Sequence, residues 1–218
     1  MQSLASADGD IAARFSRQPA APFPARLAVA RVQAAGYSSY RQSSYGTGAY
    51  SVVTSRDTET EADFQRLAKL PMIAAIAPLN RMILPADLKS DRDVRLAAAS
   101  LKTDILLTYS FDTSYRIDGR EVGPLGVITL GALPIDEAIV DVTASAALFD
   151  VRTGFVYGVA ESTVQEKQLT SAWSSRDAVD DARIRAERKA FEGLLTELEK
   201  TWKGVVEQHA GKQGIGGM

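Results

Sequence analysis

His209 is the only histidine in the chain, and a His-based triad or a multi-His metal site needs an imidazole held inside a pocket. It stands beside a Gly-rich end, GKQGIGGM, where a solvated surface residue is expected. Cysteine is absent, which removes disulfides, thiolate nucleophiles and cysteine metal sites together. Acidic chemistry is the remaining enzymatic route. Asp104, Asp112, Asp141 and Asp150 fall near the ends or polar faces of expected strands, where a carboxylate pair could form. Most of them have a plainer explanation: Asp104 precedes a strand, Asp150 opens a turn and Asp141 sits on an outward face. The glycines of YGTG and GPLGVITLG are not followed by the Lys-Ser/Thr or helix start that cradles a phosphate. The chain is therefore expected to be no enzyme and to carry no catalytic residue, cofactor or metal ligand. A carboxylate-dependent hydrolase is the enzymatic alternative.

Surface chemistry is more suggestive. Tyr37, Tyr40 and Tyr45 lie among Ser, Gly and Gln in AAGYSSYRQSSYGTG, which predicts a mobile loop. Tyrosine presents apolar area and a hydroxyl at small entropic cost, as binding loops require. Trp173 precedes an expected helix and could anchor a partner, whereas Trp202 falls on an apolar stripe and is expected in the core. Tyr37, Tyr40, Tyr45 and Trp173 are thus the candidate partner-binding residues.

Bulk properties bound these readings. A chain of 218 residues suffices for one sizeable domain, and 45% hydrophobic with 24% charged residues is ordinary for a globular protein. A net charge of -2 supplies no field that would draw the protein to phosphate backbones or anionic membranes, so nucleic acid is not expected as a partner. No apolar run approaches the ~18 residues that cross a bilayer, and MQSLASADGD lacks the basic and apolar regions of a signal peptide.

The elements that must position these residues read as follows. Met1 to Pro24 is expected to be a flexible linker, residues 25–208 an α/β domain, and residues 209–218 a flexible Gly-rich tail. Strands are predicted at Leu27 to Val32, Tyr50 to Thr54, MIAAIA after Pro71, and Ile105 to Phe111. Val140, Val142, Ala144, Ala146 and Leu148 alternate with polar residues on a half-buried strand, which DVRTG turns back into FVYGVAEST. Asp118-Gly119 offers another tight turn, and Gly123 to Pro134 an irregular crossing. Helix starts are predicted from Ser or Thr with an acid three residues on: Thr58 with Glu61, Ser90 with Asp93, Ser174 with Asp177. The first helix should end near Leu70, ahead of Pro71. The last, roughly Ser175 to Glu207, sets Phe191, Leu194, Leu195, Leu198, Trp202 and Val205 on one stripe. Its other face spaces Asp181 from Arg185 and Glu199 from Lys203 for helical ion pairs. The fold class is α/β (α+β), a single domain with a mixed sheet of about five strands, packed helices and a long C-terminal helix.

In that order of elements the chain resembles the mixed-sheet domains of bacterial envelope lipoproteins, with a general likeness to the amino-terminal domain of TolB and to CsgG. More narrowly, DILLTYSFDTSY, the Gly-rich crossing, IVDVTASAALFDVRTGFVYGVAES and the long helix are similar to the family of rhombotarget lipoproteins. The likeness covers about Leu27 to Trp202 and carries no active-site residue. It implies a periplasmic or outer-membrane-anchored domain that binds a protein partner in envelope assembly or surface biogenesis, or self-associates as a structural component. Such families carry a signal peptide and a lipidated amino-terminal cysteine. The expectation here is that Met1 stands in place of both, with Gln2 to Pro24 as the tether.

Overall fold

Leu27 and Val29 alternate along one strand with Ala28 and Ala30, and all four are buried, so this strand must be covered on both faces. The computed structural model, which describes residues 2–35, 37, 39, 44–117, 120–121, 137–169 and 176–211, shows how. β1 (Ala25–Ala34) pairs in parallel with β3 (Ile73–Pro78) along its first half and antiparallel with β2 (Tyr50–Val53) along its second. Its other edge pairs in parallel with β4 (Ile105–Ile117), which takes β6 (Glu137–Asp150) and then β7 (Val156–Leu169), both antiparallel. Five strands therefore run β2-β1-β4-β6-β7, with β3 on β1 and the short β5 (Arg120–Glu121) on β4. The mixed α/β sheet is as expected, and the two extra strands are side additions to its path.

Both faces are covered, but unequally. The inner face carries α2 (Glu61–Ala68) and α4 (Arg176–His209), and one core runs from Leu27 and Leu107 through Val140, Val142 and Leu148 to Phe191, Leu194 and Leu198. The outer face carries α3 (Asp91–Ser100), whose Val94, Ala97 and Ala98 meet Ala28, Ala30 and Leu106 in a second core. The apolar stripe of α4 is the one its spacing predicts, with Trp202 buried and its Nε1 donating to Pro71 O at 2.7 Å.

Local signals are partly shifted. Ser90 and Asp93 do form the capping box of α3, but α2 is capped by Thr60 and Asp63, two residues after the Thr58 and Glu61 expected. Thr58 is instead drawn to Glu187 of α4, whose Oε2 its hydroxyl reaches at 3.1 Å. Glu199 binds Arg66 of α2, at 2.9 Å from Nη2, rather than Lys203, because a contact between elements offers a bidentate partner. Asp118-Gly119, the crossing Gly123 to Pro134, and Ser174 lie outside the described residues, although β4 and β5 do pair antiparallel across the first.

The expected linker is not wholly extended. Gln2–Phe15 form a helix, α1, and the strap that follows, 17–22, lacks regular structure. Asp150, fully buried, fastens this strap by accepting Ala20 N at 2.6 Å and Ala21 N at 2.8 Å. The same carboxylate accepts Arg152 N, Thr153 N and the Tyr157 hydroxyl, and Gly154 supplies the φ of 70° that the turn into β7 needs.

Gly193 lets α4 lie close to β7, since a Cβ there would run into Ser162 Oγ. We expect Gly193→Ala to lower stability in urea by a net of about 1 kcal/mol, an overpacking cost of about 2 kcal/mol set against the ~1 kcal/mol that alanine gains in a helix. Ser162→Ala in the same chain should restore most of the loss.

Candidate functional site

The inner face holds charge as well as core. Arg31 of β1 and Arg183 of α4, each with a 1% exposed side chain, face Asp57, Glu59, Asp180 and Glu187. Glu187 is the hub. Its Oε2 accepts Arg31 Nη2 at 3.2 Å, Arg183 Nη1 at 2.6 Å and Thr58 Oγ1, while its Oε1 accepts Thr113 Oγ1 of β4 at 3.1 Å. Arg183 also donates to Asp180 and Asp57 at 2.8 Å each. Arg31 lies over the Phe111 ring, 4.6 Å from its centroid, and the Tyr109 hydroxyl donates to Glu59 at 2.7 Å.

Burial alone would lower the Arg31 pKa, yet the charges of Glu187 and Glu59 outweigh it and leave the pKa raised. Arg183 is raised likewise, burial being overcome by Glu187 and by its bonds to Asp180 and Asp57. Burial works against ionisation of Asp57, but Arg183 and Arg31 hold its carboxyl below the usual range. Burial pushes the hydroxyls of Tyr109 and Tyr115 above the ordinary phenol range. The arrangement keeps its arginines and Asp57 charged and its tyrosines neutral. That is the work of a structural lock between α4, β1, β4 and the segment before α2.

The anticipated site residues fare differently. Tyr37 is half-buried at the rim of this cluster, its hydroxyl 3.5 Å from Arg31 Nη2, and its carbonyl accepts Ser44 Oγ at 2.8 Å. Tyr45 bridges to Val52 in both directions at 2.8 Å and reaches Leu84 O at 3.4 Å. Both rings are tied to the domain. Tyr40 and Trp173 lie outside the described residues. His209 is half-buried rather than solvated: its ring meets Tyr157 at 5.2 Å and Phe155 at 6.1 Å, edge to face, because α4 continues far enough to reach the β6–β7 turn.

The four aspartates split into two groups. Asp104 and Asp150 share one end of the sheet, where Asp104 accepts Arg26 N at 3.0 Å and pairs with Arg152. Asp141 lies nine residues along β6 from Asp150, roughly 30 Å at ~3.3 Å per residue. It takes both Arg116 Nε and Nη2 and the Gln165 amide. Asp112 is exposed on the same outer face of β4. Three of the four are thus committed to holding the fold.

Sequence reading missed the cluster and one surface. α3 shields β1 and the start of β4, but Val159, Glu161, Thr163 and Gln165 on the outer side of β7 are all exposed. Beside them Thr108, Ser110, Ser145 and Ala147 floor a shallow hollow of about 420 Å³ walled by Val32 and Val159. Thr143 bonds Thr163 at 3.0 Å and Ser145 bonds Glu161 at 3.0 Å across this face. Small side chains over three strands make it flat enough for another backbone to approach.

We expect Glu187→Gln to cost about 1.5–3 kcal/mol in urea unfolding, because it takes the charge out of the bonds to two buried guanidinium groups, which keep Asp57, Glu59 and Asp180 as partners. Asp57, Asp63, Asp141 and Asp150 all have depressed pKa values in the folded state, where arginine or amide donors overcome burial. Their stabilisation is complete above the unfolded carboxylate pKa of about 4 and is lost as pH falls through the lower folded values. The urea midpoint should therefore hold steady from neutral pH down to about pH 5 and drop steeply below about 4, and the drop should be shallower in Asp57→Asn.

No protein-family model matches the chain, and no curated protein matches its sequence. Among solved structures it is similar to the uncharacterized lipoprotein B of Nitrosomonas europaea, at 10% identity over 89% of this chain and 94% of that one, with a TM-score of 0.39. It is also similar to a chain of the PelC dodecamer from Paraburkholderia phytofirmans, at 16% identity over 83% and 93%, TM-score 0.35. A protein from Xanthomonas campestris aligns at 13% identity over 87% and 91%, TM-score 0.36.

Proposed function

We propose that this chain is a non-catalytic domain of the bacterial envelope that binds a protein partner through the outer face of β4, β6 and β7. The observation that carries the reading is the exposure of that face on a sheet otherwise closed by helices. Thr108, Ser110, Ser145 and Ala147 form its floor, and Val159 stands above them 69% exposed. Hydroxyls, short apolar groups and one acid on a flat surface suit a polar, transient protein interface better than a ligand pocket. The commitment of Asp104, Asp141 and Asp150 to backbone and arginine donors supports a role without catalysis. The envelope location rests on the resemblance of the DILLTYSFDTSY and IVDVTASAALFDVRTGFVYGVAES strings to rhombotarget lipoproteins.

Self-association is the second reading, favoured by the position of β7 at the end of the strand order. Among the described residues no strand pairs with its other edge, which runs the 14 residues from Val156 to Leu169 and could accept a strand from another copy.

Ala147→Arg and Ser145→Arg plant bulk on the face without touching either core. Co-purification from the native envelope should yield a partner with the parent chain and lose it at least ~10-fold with the double variant, at unchanged thermal unfolding. Equal capture by both would reject the outer face. Light scattering that gives a monomer mass at high concentration would reject self-association.

A further inference from the structure

Among the described residues the exposed large hydrophobic side chains are Ile11, Phe15, Met82, Leu96, Val156 and Val159, and they fall into three pairs. Ile11 (53% exposed) and Phe15 (84%) lie four residues apart on one side of α1. Val156 (44%) and Val159 (69%) lie on the outer side of β7. Met82 and Leu96 flank a separate hollow of about 330 Å³ between α3 and the segment before it.

Helix α1 has 14 residues, a length at which an isolated helix is marginal in water, so it needs a surface to lie on. Its foot is fixed beside one. Arg17 Nη1 donates to Gly154 O at 3.0 Å in the β6–β7 turn. There the tip of the Arg17 side chain sits next to the guanidinium of Arg95, which bonds Val151 O on the outer side of the turn, while Ala20 and Ala21 behind it are held by Asp150. Val156 begins two residues past Gly154 on that same side. Ile11 and Phe15 are spaced about 6 Å along the helix axis, and Val156 and Val159 about 10 Å along the strand, a difference that side-chain reach absorbs. A tether of one or two residues holds the two apolar pairs at high effective concentration. A membrane surface suits α1 poorly, because Asp8 and Asp10 outnumber Arg14 where an interfacial helix would carry Lys and Arg.

We propose that α1 folds back about Ser16 and docks on the outer face of its own β7, Ile11 and Phe15 meeting Val156 and Val159. In that state α1 is a cover over the end of the exposed sheet face nearest the β6–β7 turn. The contact needs no partner and stands whether or not the face binds one.

The absence of cysteine allows a direct test. Ile11→Cys with Val159→Cys, under mild oxidation, should close an intrachain disulfide at least ~10-fold faster than Ile11→Cys with Leu96→Cys, seen as a faster-migrating monomer band that reduction abolishes. Equal or faster closure of the second pair, cross-links only between chains, or none at all would overturn the proposal. Trypsin gives an independent readout without cysteines: cleavage after Arg14 should speed up about tenfold in Val159→Asp, a surface change that leaves the core intact, and an unchanged rate would overturn it equally.

Discussion

Glu187 accepts from three chain segments and from its own helix, and the placement of α4 follows from it. A buried carboxylate is tolerated only when paired, and here two guanidinium groups and two hydroxyls complete its shell. Apolar packing from Phe191 onward would permit α4 to rotate or slide by a turn at modest cost. The charged half opposes it, because any such shift parts Glu187 from Arg31 and Arg183 from Asp57. The same bonds hold Thr58 and Asp57, and so fix where α2 begins.

The unequal covering of the two faces has a simple origin in helix length. α4 has 34 residues, about 51 Å at 1.5 Å per residue, which exceeds the length of β6 and β7. α3 has 10, about 15 Å, and reaches only the strands above which it starts. Both helices close a core of their own, yet only one spans the sheet. What is left open on the other side is a matter of span, and its polar, hydroxyl-bearing composition is what an antiparallel face in water should have.

Elements whose information is local were legible in the sequence. The alternation Val140 to Leu148, the box Ser90 with Asp93, the turn at Asp150 and the stripe from Phe191 to Val205 all stand as their spacing indicated. The charged cluster was half visible. Asp180, Arg183 and Glu187 continue the very register of Phe191 and Leu194, so charges on an apolar stripe were there to be noticed. Their meaning depended on Arg31, 156 positions away in sequence, and no periodicity reports such a pairing. Thr58 misled for the same reason, since a residue shaped for a helix cap was taken by a distant carboxylate. The helix at Gln2–Phe15 was hidden by Gly9 and by neighbours that favour coil as readily as helix.

Asp150 has a mechanical consequence. The strap before β1 is fastened at the mouth of the β6–β7 turn by Ala20 and Ala21, four residues short of the first strand residue. Tension applied upstream of Arg17 would therefore reach this carboxylate before it reached any hydrogen bond between β1 and its neighbours. Five donors converge there from the strap, the turn and Tyr157, so the load divides between two ends of the chain's fold rather than unzipping one strand. Load on the strap is thus carried at Asp150 while β1 keeps its hydrogen bonds.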